Sequence, residues 1–123
     1  MHTVHLSLHA EEDLIEIFAW SLDRFGESAF RRYLHLLTVA LNDLGENPER
    51  TGSIARPEYG ANQRTYHLRF SRNKARTSEG IVLRPRHLAV YKVLNEHEVE
   101  VMRFLHDSME LERHLPRIPN DLD

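Results

Sequence analysis

Residues 86–107 read RHLAVYKVLNEHEVEVMRFLHD. From Leu88 to Leu94 the chain is apolar on both parities except for Lys92, as in a central strand covered on both faces. Asn95 to His97 supplies a turn. Val99, Val101 and Leu105 then share one face with Arg103, and Met102 and Phe104 take the other, which predicts a last strand over 98–105. Two strands joined by so short a turn pair antiparallel, and the remaining elements are arranged around this hairpin.

Upstream, Tyr66, Leu68 and Phe70 alternate with Thr65, His67 and Arg69, which predicts a strand over 64–71. The polar, basic stretch from Ser71 to Glu79 reads as a loop or extended hairpin tip, and the short apolar run Ile81 to Leu83 precedes Arg84-Pro85-Arg86. At the start of the chain Val4, Leu6 and Leu8 alternate with Thr3, His5 and Ser7, giving a first strand over 3–8. The period changes at Ala10. Leu14, Ile17, Phe18, Ser21, Leu22 and Phe25 recur at helical spacing up to Gly26, with Glu11, Glu12 and Asp13 in the first turn, where the helix dipole favours acids. Ala29, Phe30, Tyr33, Leu34, Leu37, Leu41 and Leu44 continue that spacing until Gly45, Asn47 and Pro48 stop it. The two helices form a hairpin about Gly26, and residues 45–63 form a long connector. The expected class is α+β, in the order β-α-α-β-β-β-α, with a helical hairpin on a mostly antiparallel sheet and a short C-terminal helix. Residues 1–123 are expected to form a single domain.

The net charge of -3 conceals a partition. Residues 1–49 carry net -6, residues 50–92 net +8 and residues 93–123 net -5. The balance excludes a uniformly basic coat for nucleic acid but leaves a local basic surface in the middle segment. The chain has no cysteine, which removes disulfides, thiolate zinc sites and thiol nucleophiles. The N-terminal residues show no basic segment followed by an apolar one, and no apolar run approaches a membrane span, so a cytoplasmic location is expected.

Three segments together resemble the ParE and RelE superfamily of bacterial type II toxin-antitoxin toxins, the ParE branch (plasmid stabilisation proteins) most closely. They are Ala10-Glu11-Glu12-Asp13-Leu14-Ile15-Glu16-Ile17, then Leu44-Gly45-Glu46-Asn47-Pro48, then Arg86 to Tyr91 with Val99 to Asp107 and Met109-Glu110-Leu111. The resemblance spans roughly residues 3–115. It implies a small toxin neutralised by a co-expressed antitoxin, usually one with a ribbon-helix-helix part through which the pair contacts DNA. For the ParE branch it implies poisoning of DNA gyrase by binding. For the RelE branch it implies cleavage of messenger RNA on the ribosome, and a shared fold does not decide between these.

The residues bear on that choice. RNA cleavage needs cations at the scissile phosphate and a group that moves protons near neutral pH. Arg64, His67, Arg69, Arg86, His87, Tyr91, Arg103 and His106 all fall on or beside the last three strands, and the nuclease reading would use Arg69, Arg103 and His106. His106 is followed by Asp107 with no tyrosine after it, and only two of the cationic residues are lysine, which departs from the lysine-rich nuclease pattern. Binding without chemistry is the leading expectation, with a non-toxic, partner-binding member as a further alternative. Arg103 has a structural reading as well, paired with an acid of the helices or tail, as Tyr91 has in the core.

Residues expected to contact antitoxin or target are Trp20, Tyr33, Arg64, Arg69, Arg84, Arg86, Tyr91 and Arg103. Trp20 is chosen because the helices carry more large apolar side chains than one face of a small sheet needs. The arginines are chosen because guanidinium forks suit carboxylate and phosphate alike, which fits either an acidic antitoxin tail or a nucleic-acid backbone. No metal or cofactor is expected: His2, His5 and His9 do not converge on a strand, the adjacent His106-Asp107-Ser108 point in different directions, and no glycine-rich phosphate loop is present.

Overall fold

The computed structural model describes residues 1–109 and 111–115. Strand β1 (Thr3–Leu6) leads into helix α1 (Leu8–Glu46), which is broken at Gly26, so that two helical arms form the expected hairpin. Gly26 has φ 86° and ψ 178°, a conformation essentially confined to glycine. Strands β2 (Ser53–Ala55), β3 (Gln63–His67), β4 (His87–Val93) and β5 (Glu98–His106) follow, with a short helix α2 (Leu111–His114) at the end. They form one five-stranded sheet in the order β1-β5-β4-β3-β2, antiparallel except where β1 runs parallel to β5. The α+β layout is as the sequence predicts, with one strand more. Among the described residues, no helix is long and apolar enough to cross a membrane.

The first strand stops at Leu6 rather than residue 8 because Ser7 caps the helix. Its Oγ accepts a hydrogen bond from the Ala10 amide (3.0 Å) and donates to the Met102 carbonyl (2.8 Å), which ties the start of α1 to β5. His9 is consequently helical. At the other end of α1 the Gly45 carbonyl accepts the His2 amide (2.7 Å), and a Cβ at Gly45 would stand 3.0 Å from the His2 carbonyl oxygen. This close approach is what seats β1 against the helix.

The strand predicted over 64–71 is shorter than its alternation suggests. After His67 the chain turns into a 3₁₀ segment, Leu68–Ser71, because the His67 Nδ1 accepts the Arg69 amide (3.1 Å) and the Ser71 hydroxyl folds back onto Tyr66 (2.8 Å). Phe70 is therefore exposed and not a strand residue. The last two strands carry a second departure. Val90 pairs with Arg103 and Tyr91 with Val101, so Met102 is an extra residue on β5, a β-bulge. The bulge reverses the alternation. Phe104, not Leu105, joins Val99 and Val101 in the core beneath the helices.

That core packs Ile17, Leu36, Leu37, Ala40 and Leu44 of α1 on Tyr66, Ala89, Tyr91, Val99, Val101 and Phe104 of the sheet. Leu105 and Val90 face the opposite side, where Tyr59 and Leu115 cover them. The sheet is thus double-faced at its centre, as the apolar run in β4 requires.

Candidate functional site

The antiparallel register gathers three histidines at one end of the sheet. His67 closes β3, His87 opens β4 opposite His106 of β5, and His67 faces Leu88 across the β3–β4 pair. Asp107 follows directly and bridges two of the strands: its Oδ2 accepts from the His67 Nε2 (3.0 Å), and its carboxylate is clamped by Arg86, Nε and Nη2 each within 2.9 Å of Oδ1. The His87 and His106 rings stand edge to face at 5.3 Å. From α1, Tyr33 reaches His87 Nδ1 at 2.6 Å. The Tyr33 oxygen also accepts the Arg86 amide (3.4 Å), so it joins the start of β4 to α1 at two points. On the solvent side of the cluster, the His106 Nδ1 meets the Ser108 hydroxyl at 2.7 Å.

Electrostatics make this cluster neutral at its buried end and ionic at its rim. Burial, then the neighbouring His106, lowers the His87 pKa to about 4. Burial likewise raises the Tyr33 hydroxyl well above its ordinary value. The Arg86 hydrogen bonds, aided by His67 and opposed by partial burial, lower the Asp107 pKa to about 2. Between pH 6.5 and 4 the unfolded chain therefore protonates His87 while the folded chain does not, so stability falls as pH falls through that window, by at most about 3 kcal/mol. Asp107 adds a further loss below its unfolded value, as pH falls from 3.8 toward 2. Urea unfolding at pH 7 and pH 4.5 checks the His87 contribution, and His87→Phe is expected to flatten the dependence above pH 4.

The other expected site residues are distributed differently. Arg103 is held by Asp13 of α1, Nε to Oδ2 at 2.8 Å and Nη2 to Oδ1 at 3.1 Å. Arg64 donates to the Ser53 hydroxyl (2.6 Å), and Tyr91 is wholly buried with its hydroxyl on Ser53 and the Pro48 carbonyl. Arg69 is exposed with its guanidinium over the Phe70 ring (4.7 Å). Of Arg69, Arg103 and His106, Arg103 is committed to Asp13, while Arg69 lies on the exposed 3₁₀ turn beyond β3. Asp107, which organises the cluster, entered the sequence reading only as the neighbour of His106, and Asp13 only as a first-turn acid of α1, although pairing with an acid of the helices was one of the two readings of Arg103.

Trp20 is 44% exposed, its ring edge to face with Phe25 at 5.2 Å. Together with Tyr33 on α1 and Val82, Leu83 and Arg84 opposite, they line an apolar groove of about 400 Å³. Trp20 and His87 also line the adjoining hollow of about 440 Å³, whose wall includes Arg103 and His106. Among the described residues Arg84 makes no ion pair, and Arg32, on the α1 side of the groove, hydrogen-bonds only to the Ser28 hydroxyl and the Glu79 carbonyl. The groove is apolar at its base and cationic at its lip.

A helical hairpin on one face of a sheet whose first strand runs parallel to the last, with a histidine cluster at one end and an open apolar groove beside it, defines a small α+β domain suited to gripping another chain. The chain belongs to the family of ParE toxins of the type II toxin-antitoxin system, parDE, whose model matches residues 4–111. Two crystal structures of the E. coli DinJ–YafQ toxin–antitoxin complex contain a similar chain. One is 12% identical with a TM-score of 0.48, covering 87% of this chain and 93% of that one; the other is 12% identical with a TM-score of 0.49, covering 88% and 96%. Comparison with curated proteins yields no match.

Proposed function

We propose that this chain, as one domain, is the cytoplasmic toxin of a plasmid-stabilising type II pair, that it acts on DNA gyrase by binding rather than by chemistry of its own, and that a cognate antitoxin of ribbon-helix-helix type holds it inactive. Family membership supports the toxin and its antitoxin. The observation favouring binding is that the arginines nearest His106 are already neutralised, Arg103 by Asp13 and Arg86 by Asp107, so neither is free to hold a scissile phosphate. What remains open is the groove of Trp20, Leu83 and Arg84, whose chemistry suits an apolar side chain followed by a carboxylate of the antitoxin. Contact with DNA belongs to the antitoxin.

A second reading has its own observation. His67, His87 and His106 meet at one strand end, and histidines are the usual proton carriers in RNA cleavage. Induction of the chain alone is expected to arrest growth, with relief on co-expression of its antitoxin and no new 5′ ends in translated messenger RNA by primer extension. Cleavage ends that disappear in His106→Ala would establish the nuclease reading instead, and the absence of growth arrest would leave a member that only binds its partner.

A further inference from the structure

The segment between β3 and β4 carries a device of its own. Ala75 and Pro85 are buried, and every residue from Arg76 to Arg84 is exposed or only partly buried. The segment is braced within itself. Arg72 Nη1 donates to the Leu83 carbonyl (2.8 Å) across its neck, and at its tip the Thr77 and Gly80 amides each donate to the other's carbonyl (2.9 and 3.0 Å). A braced loop between two fixed ends moves as one body, a strap. Its attachment to α1 is concentrated at one residue. The Glu79 carboxylate accepts the Ser28 hydroxyl (2.5 Å) and the fork of Arg31, Nε at 3.0 Å and Nη2 at 3.1 Å, while its carbonyl accepts Arg32 Nη1 (3.3 Å). Among the described residues, each hydrogen bond between residues 76–84 and α1 ends on Glu79, and Val82 adds an apolar contact, partly buried against the core.

Beyond this latch, Ile81, Val82 and Leu83 stand opposite Trp20, Phe25 and Tyr33 and form the second wall of the apolar groove. The Arg31 and Glu79 side chains are 54% and 37% exposed, so the pair that holds this wall in place is open to solvent and screened by salt. Arg31 Nη1 also meets Glu27 on its own helix at 3.5 Å, which gives the guanidinium another acceptor when Glu79 leaves. We propose that residues 76–84 are a strap that Glu79 latches to Ser28 and Arg31, and that release of this latch opens the Trp20 groove. Latched, the strap gives the groove its second wall. Released, it leaves Trp20 and Phe25 as an open shelf on α1. An exposed ion pair is a weak fastening, which suits a part that moves while Ala75 and Pro85 stay buried.

The chain has one tryptophan and no cysteine, which makes the groove directly observable. Leu83 is 73% exposed, so Leu83→Cys labelled with bimane sets a dye across the groove from Trp20, whose indole quenches it at near contact. In the latched chain the dye should be quenched, and a Trp20→Phe background should restore its emission. Glu79→Gln and, separately, Arg31→Gln should raise the ratio of unquenched to quenched dye about two- to fivefold, the effect on an equilibrium of removing an exposed ion pair. Salt raised to about 1 M, where the Debye length falls to about 3 Å, should do the same with the latch residues unchanged. A ratio that stays constant in both variants and in salt would overturn the proposal. So would a dye as bright before the latch is touched as in the Trp20→Phe background, or a rise in emission accompanied by loss of helix in circular dichroism. Opening is a property of the free chain, so each of these results leaves the toxin reading as it stands.

Discussion

Asp43→Ala is expected to destabilise the chain by about 3–5 kcal/mol, enough to unfold much of a domain of ordinary stability. Asp43 is only 1% exposed, near the end of α1, and its carboxylate gathers Ser71 (2.6 Å), Lys74 (2.6 Å) and Arg50 (3.0 Å) from the segments that follow. Burial alone would raise its pKa, but the hydrogen bonds from Lys74 and Ser71 and the Arg50 charge outweigh burial and hold it below the ordinary carboxylate value. Alanine would leave the Arg50 guanidinium, whose Nε has no hydrogen-bond partner among the described residues, and the Ser71–Tyr66 pair without their anion. Asn keeps the Ser71 hydrogen bond but not the charge and should fall between. Urea unfolding of the three proteins decides it: a loss under about 1 kcal/mol for Ala would show that the connector and the 68–75 segment are not held through this residue.

Asp13→Ala should cost about 3–5 kcal/mol, for a reason specific to the sheet. β1 covers β5 only as far as Val101, and beyond that point the edge of β5 is open. The Asp13 carboxylate stands in for the missing strand, accepting the Phe104 amide at 2.9 Å while it holds the Arg103 guanidinium. Arg103→Ala should cost less than Asp13→Ala, because Asp13 then keeps its bond to the Phe104 amide. The double variant should cost less than the sum of the two, since no charge remains buried alone. Equal losses in the two single variants would show that the amide contact contributes nothing.

The helices and the long strands were legible because their apolar periods are long. Ile17, Leu37 and Leu44 recur at helical spacing, and β4 is apolar on both parities. Gly26 was legible as a break. β2 was not, because Ser53-Ile54-Ala55 is too short to show a period and becomes a strand only by pairing with Tyr66, Thr65 and Arg64. The bulge at Met102 was hidden for the opposite reason: both parities around it are apolar, so alternation alone does not show which of Phe104 and Leu105 faces the helices. At the candidate site each histidine was visible individually. Their meeting is a consequence of register, which pairs His87 with His106, and the Asp13–Arg103 contact joins residues ninety positions apart in the chain.

The central claim is that this toxin acts by binding its target, and gyrase supercoiling assayed with the purified chain tests it most directly. The account predicts inhibition of supercoiling that the antitoxin relieves and that His106→Ala leaves intact. A chain that leaves gyrase untouched at saturating concentration, yet cuts translated messenger RNA in a manner lost with His106→Ala, would contradict it.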